Sequence, residues 1–196
     1  MKKLIFSALL LTLSTQAPAA ALKLDAKASS VAWTGSKKLG SSHHGKVEVK
    51  EGLVEVNDKG ELTGATVTID MTKLTNTDLK DSPDDQKKLV RHLSSADFFN
   101  VEKYPTATFK LKKVSKLSEG NYIANGEFTM VGIPKPIEFP ASIKISKDAV
   151  AGEAKVKIDR TKWGLKYNSG NFIKDLVAEK VINDEFVLDI KLAAKK

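Results

Sequence analysis

The stretch Ile137-Glu138-Phe139-Pro140-Ala141-Ser142-Ile143-Lys144-Ile145 puts Ile137, Phe139, Ala141, Ile143 and Ile145 on one face and Glu138, Ser142 and Lys144 on the other. After Ser146-Lys147-Asp148 the pattern resumes: Ala154, Val156 and Ile158 alternate with Lys155, Lys157 and Asp159. A period of two marks a strand with one apolar and one wet face. A link this short between two such runs implies an antiparallel hairpin.

The same period extends outward in both directions. Val47 and Val49 alternate with Lys46, Glu48 and Lys50; Ala65, Val67, Ile69 and Met71 with Thr66, Thr68 and Asp70. Ala107, Phe109 and Leu111 alternate with Thr108, Lys110 and Lys112; Phe186, Leu188, Ile190 and Leu192 with Asp189 and Lys191. Asn57-Asp58-Lys59-Gly60 and Ser118-Glu119-Gly120-Asn121 supply further turns. Weaker segments at Val31–Trp33, Gly52–Val56 and Tyr122–Val131 bring the count to eight or nine strands. Such a set closes into a barrel or stacks as a sandwich. The polar face is too rich in Lys, Glu and Asp to meet hydrocarbon, so the apolar face points inward and an outer-membrane barrel is excluded.

Two stretches depart from this pattern. Ser82-Pro83-Asp84-Asp85 reads as a helix start, with Ser82 as cap, Pro83 at the first position and Asp85 at the capping-box position. Leu89, Val90 and Leu93 then share a face, a short turn follows at Ala96–Phe99, and Tyr104-Pro105 ends the insertion. Trp163–Asp184 is irregular, with a short helix expected around Phe172–Val181.

The chain has 196 residues, 41% of them hydrophobic, with 32 Lys+Arg, 24 Asp+Glu and no Cys. That is the length of one domain and too apolar for disorder. Zero Cys excludes a disulfide framework, a thiol nucleophile and Cys-ligated metal. Lys2 and Lys3, the apolar run Leu4–Leu13 and the small residues Ala17–Ala21 form a signal-peptide pattern, with cleavage after Ala19 or Ala21. A periplasmic or secreted protein is expected, with residues 22–196 as the working domain. Outside the cytoplasm nucleic acid is not the expected partner of a basic chain; an anionic membrane surface or phosphate head groups are candidates, beside a merely solvated basic surface.

No catalytic motif stands out. His43, His44 and His92 lack the spacing of a metal site, and neither a G-x-S-x-G elbow nor a P-loop occurs. His44, His92 and Arg160 are candidate contacts for a ligand head group. The apolar inventory is larger: Trp33, Ile69, Met71, Leu89, Leu93, Phe98, Phe109, Leu111, Phe128, Met130, Trp163 and Phe172 are candidate lipid contacts. An eight-stranded barrel can be filled by its own side chains or hold one ligand. A carrier, a lipid-modifying enzyme and a filled barrel that binds a partner protein all remain open at this point.

His92–Phe109, HLSSADFFNVEKYPTATF, resembles the hallmark segment of the YceI-like family, secreted bacterial proteins associated with lipid and polyisoprenoid binding. Gly126–Ile137 and Ile158–Leu165 resemble its later signatures. The resemblance implies an all-β fold, an extended antiparallel lipocalin-like barrel of eight or nine strands with a short helical insertion. It implies a polyisoprenoid or long-chain lipid ligand in a long apolar channel; from the residues themselves no cofactor and no metal are expected, catalysis is the lesser alternative, and a homodimer is a further expectation. It also places Asn125-Gly126, a turn dipeptide by composition, inside a strand, with Gly126 marking a bulge.

Overall fold

The computed structural model describes residues 20–146 and 148–196. Residues 1–19, which hold most of the expected signal peptide, lie outside the described residues. Nine strands form one antiparallel sheet: β1 (Ala20–Leu24), β2 (Ser30–Ser36), β3 (Ser42–Val56), β4 (Leu62–Asn76), β5 (Thr106–Ser118), β6 (Asn121–Met130), β7 (Ile133–Ile145), β8 (Ala149–Asp159) and β9 (Glu185–Lys195). Eight of them close a ring in the order β3-β2-β9-β8-β7-β6-β5-β4, sealed by the β3–β4 pairing. The ninth, β1, lies end to end with β2, and both run between β3 and β9. Sequence patterning had not set β1 apart as a strand.

The strands are longer than an unbroken alternation allows, because bulges reset their parity. In β3, Val47 and Val49 point inward, Lys50 and Glu51 both point out, and Val54 and Val56 point inward again. A register shift between Val49 and Glu51 accounts for the change. Two segments that look separate in sequence are thus one strand. In β5 the register shifts between Leu111 and Lys113, opposite Gly126 and Asn125. Gly126 lies within β6, as the resemblance implied, but the extra residue belongs to β5. Glycine serves there as a clearance: a Cβ would sit 2.5 Å from the Phe109 ring and 2.5 Å from the Lys110 carbonyl oxygen.

β7 pairs with β6 from Ile133 to Ser142 but with β8 only from Ala141 to Ile145. The cause is legible in Pro134, Pro136 and Pro140. Ile143 N donates to Gly120 O on the β6 side (2.8 Å), so residues of the other parity face β8. All three prolines have that parity and offer no N–H to β8. The upper part of β8 parts from β7. A 3-10 turn, Arg160–Trp163, packs against β7. Trp163 is buried, and its indole Nε1 donates to the Phe128 carbonyl on β6 (3.2 Å).

The connections at residues 37–41, 77–105 and 160–184 share one end of the barrel. The opposite end carries the links at residues 57–61 and 119–120 and the one between Ile145 and Ala149. The helix α1 spans Pro83–Ser94. Ser82 makes no side-chain cap hydrogen bond, contrary to expectation. Pro83 starts the helix, Asp84 and Asp85 lie in its first turn and Arg91 and His92 in its last, which suits the helix dipole. Gln86 Nε2 donates to the Asn76 carbonyl (2.7 Å) and ties α1 to the end of β4. The helix expected around Phe172–Val181 does not form; the stretch holds turns and one 3-10 turn at Ala178–Lys180.

Candidate functional site

The inward faces do not fill the barrel. Two apolar hollows remain, of about 330 Å³ under α1 and about 130 Å³ toward the hairpin end. Val31, Ile69, Phe128 and Leu188 line both and form a waist between them. The lower hollow narrows where Leu24 turns inward over Gly52; a Cβ on Gly52 would meet the Leu24 side chain at 2.2 Å.

Most sequence-predicted contacts gather here. Trp33, Ile69, Met71, Leu89, Leu93, Phe98, Phe128 and Met130 line the upper hollow. Phe109 and Leu111 line the lower one. Trp163 and Phe172 lie outside both walls. Trp163 is packed at the β7 seam, and Phe172 is half exposed with the Lys166 ammonium 4.3 Å above its ring. Of the head-group candidates, His92 and Arg160 line the upper hollow, whereas His44 does not and its side chain is 56% exposed.

His43 is the histidine of that pair that reaches the hollow. The signal was available: counting back from Val49 and Val47 places Gly45 and His43 on the inward parity. Its Nδ1 lies 2.7 Å from Asp78 Oδ2, leaving Nε2 as the free ring nitrogen. Asp78 also accepts from the His44 backbone N–H (2.8 Å) and from the Asn76 amide. Burial alone would raise the Asp78 pKa, but these hydrogen bonds together outweigh it and lower it to about 2.

Arg160 is buried and largely occupied. Its guanidinium donates to the carbonyls of Leu165 (2.6 Å), Asn183 (3.1 Å) and Ile182 (3.1 Å) and pairs with Asp184 at 3.4 Å. Burial pushes its pKa down while Asp184 and Asp159 pull it back up. It staples the 160–184 connection across the barrel end. His92 stands edge-on to Phe98 and Tyr167, with Nε2 3.3 Å from Asp97. Lys37, Lys180, Tyr167 and Asn168 complete the polar rim, and among the described residues no Asp or Glu lines the upper hollow itself. Among the described residues no cluster of three or more His, Asp or Glu could hold a metal ion.

By architecture this is a lipocalin-like barrel: antiparallel, closed, hollow and edged with polar groups at one end. The YceI-like domain matches residues 22–194, and the chain belongs to that family. UPF0312 proteins of Pseudomonas putida and Photorhabdus laumondii are 39% identical over 64 residues and 42% over 53. Those matches cover 32% and 27% of this chain, and span a third or less of the relatives' length (33% and 27%). Among solved structures, Burkholderia cenocepacia BcnA superposes with a TM-score of 0.63 at 20% identity, covering 88% of this chain and 99% of that one. A polyisoprenoid-binding domain from Saccharophagus degradans gives 0.61 at 18%, covering 89% and 97%. The YceI protein of Campylobacter jejuni gives 0.57 at 19%, covering 100% and 93%. At these identities the structures attest the fold.

Proposed function

We propose that the protein is a periplasmic or secreted carrier that takes one apolar chain into the barrel and keeps an anionic head group at the α1 end. The observation that carries this is the pair of joined apolar hollows. An alkyl chain leaving water for them gains about 0.8 kcal/mol per methylene. Ten methylenes give about 8 kcal/mol, on the order of micromolar affinity before ordering costs. A hollow of about 150 Å³ holds one benzene ring, so the two together suit a chain on the order of fifteen to twenty carbons. That favours a fatty acid or a short isoprenoid over the long polyisoprenoids. The Saccharophagus domain's described ligand class agrees with an apolar chain.

The rim supports the head-group assignment. Lys37 and Lys180 line the opening without an ion-pair partner among the described residues, whereas His43, His92 and Arg160 are each paired with a carboxylate. The signal-peptide pattern of Lys2, Lys3, Leu4–Leu13 and Ala17–Ala21 supports export.

The test is denaturing extraction of purified protein followed by mass spectrometry of the organic phase. A single-chain amphiphile is expected from the native protein and none from Met130→Asp or Phe109→Asp, each checked for folding by circular dichroism. Equal recovery from native and variant proteins overturns the reading. The His43–Asp78 pair favours one alternative, hydrolysis of a lipid ester at the rim. Under that alternative, added ester is recovered cleaved, and His43→Ala abolishes the cleavage.

A further inference from the structure

Exposed apolar side chains cluster at one place on this protein. Of eight large apolar residues that stand most exposed among the described residues, Leu39, Tyr167, Phe172, Ile173 and Val177 belong to the connections 37–41 and 160–184. The two connections are tied together: Lys37 bridges to Ile182, Lys38 N donates to Val181 O (2.8 Å) and Ile182 N donates to Asn168 O (2.9 Å). They form one knot beside the cavity opening, because Lys37, Ser41, Tyr167, Asn168, Lys180 and Ile182 all line the upper hollow.

Lysines alternate with these apolar residues along the two connections. Lys37, Lys38, Lys166, Lys174 and Lys180 are exposed, against Asp175 and Glu179 in the same segments. None of the five forms an ion pair among the described residues, and Lys166 lies over the Phe172 ring. Exposed apolar side chains interspersed with unpaired lysines in the same two connections match the two layers of an anionic bilayer surface, acyl boundary and phosphate plane.

We infer that the knot of residues 37–41 and 166–182 docks the barrel mouth onto an anionic phospholipid membrane. Leu39, Phe172, Ile173 and Val177 enter the head-group layer while the lysines meet the phosphates. Docking there gives the cargo a path between bilayer and cavity with its chain shielded from water. The inference rests on the carrier reading for its purpose but not for its test.

The test is co-sedimentation of the mature protein with vesicles of phosphatidylglycerol and phosphatidylcholine, alongside vesicles of phosphatidylcholine alone. Binding to the anionic vesicles is expected, at least tenfold weaker in high salt and weak on the neutral ones. Phe172→Ser with Val177→Ser, and separately Lys37→Glu with Lys180→Glu, lower it at least tenfold. Lys155→Glu with Lys157→Glu, on the barrel wall, leaves it within twofold. Absence of binding to anionic vesicles, or equal losses from the wall and mouth variants, overturns the inference. Uptake of a fluorescent polyene fatty acid from solution is measured in parallel. Its retention in Phe172→Ser with Val177→Ser separates docking from cargo binding, and its absence in the native protein counts against the carrier alone.

Discussion

Asp78 joins two strand ends through His43, the His44 backbone and Asn76, and its proton affinity records that work. With a folded pKa of about 2 against the ordinary 3.8, the carboxylate stabilises the fold above about pH 4. That contribution, on the order of 2 kcal/mol, is lost as the pH falls toward 2. Urea midpoints should drop over that window in the native protein and much less in Asp78→Asn, which should also be weaker at neutral pH. Arg160 makes a different kind of joint. Arg160→Lys replaces the three guanidinium nitrogens that serve the carbonyls of Leu165, Ile182 and Asn183 by a single ammonium without that fork, and should cost about 1–3 kcal/mol, read as a lower melting temperature. At this scale sequence reading was uneven. Apolar inward residues such as Met71, Phe128 and Met130 follow from parity alone. His43 followed from the same parity, but its adjacency to His44 obscured it. The clamp role of Arg160 depends on carbonyls some twenty residues away, which no local pattern encodes.

At the scale of elements, alternation located the strands and bulges set their lengths. A bulge moves two neighbours to the same face, so Lys112-Lys113 and Lys50-Glu51 look like strand ends in sequence and are strand interiors in the fold. Gly126 is the counterpart of the first. Gly126→Val would drive a side chain into Phe109 and the Lys110 carbonyl and should destabilise by about 2–3 kcal/mol, measurable by urea unfolding. β1 escaped notice because Ala20 and Ala21 also satisfy a cleavage-site pattern. The helix expected at Phe172–Val181 rested on composition; its apolar residues instead stand exposed at the mouth, where no partner element buries them.

At the scale of the whole molecule, alternation, turns and the family likeness led to the barrel, while its emptiness did not follow from sequence. Interior volume depends on how eight strands tilt and on which side chains meet across the bore, and neither is local. The waist offers a handle on it. Val31→Phe adds volume where the two hollows join and should shift the preferred ligand to shorter chains, at about 1–3 kcal/mol of stability. Competition among saturated fatty acids of graded length would show the shift, and an unchanged preference would mean that one hollow alone sets the length.

The prolines of β7 give the wall one stretch that holds by side-chain contact alone. From Ile133 to Pro140 the neighbouring staves share no hydrogen-bonded ladder. Pushing them apart strains the packing of Trp163 and breaks no backbone bond. The ring is therefore closed between these two staves only at its lower end, and its bore can widen at the upper seam. Under the carrier reading, a thicker tail should stretch it there and a thin one should let it relax. Amide exchange in the upper half of β8 should accelerate with the girth of the bound tail while β5 and β6 stay protected.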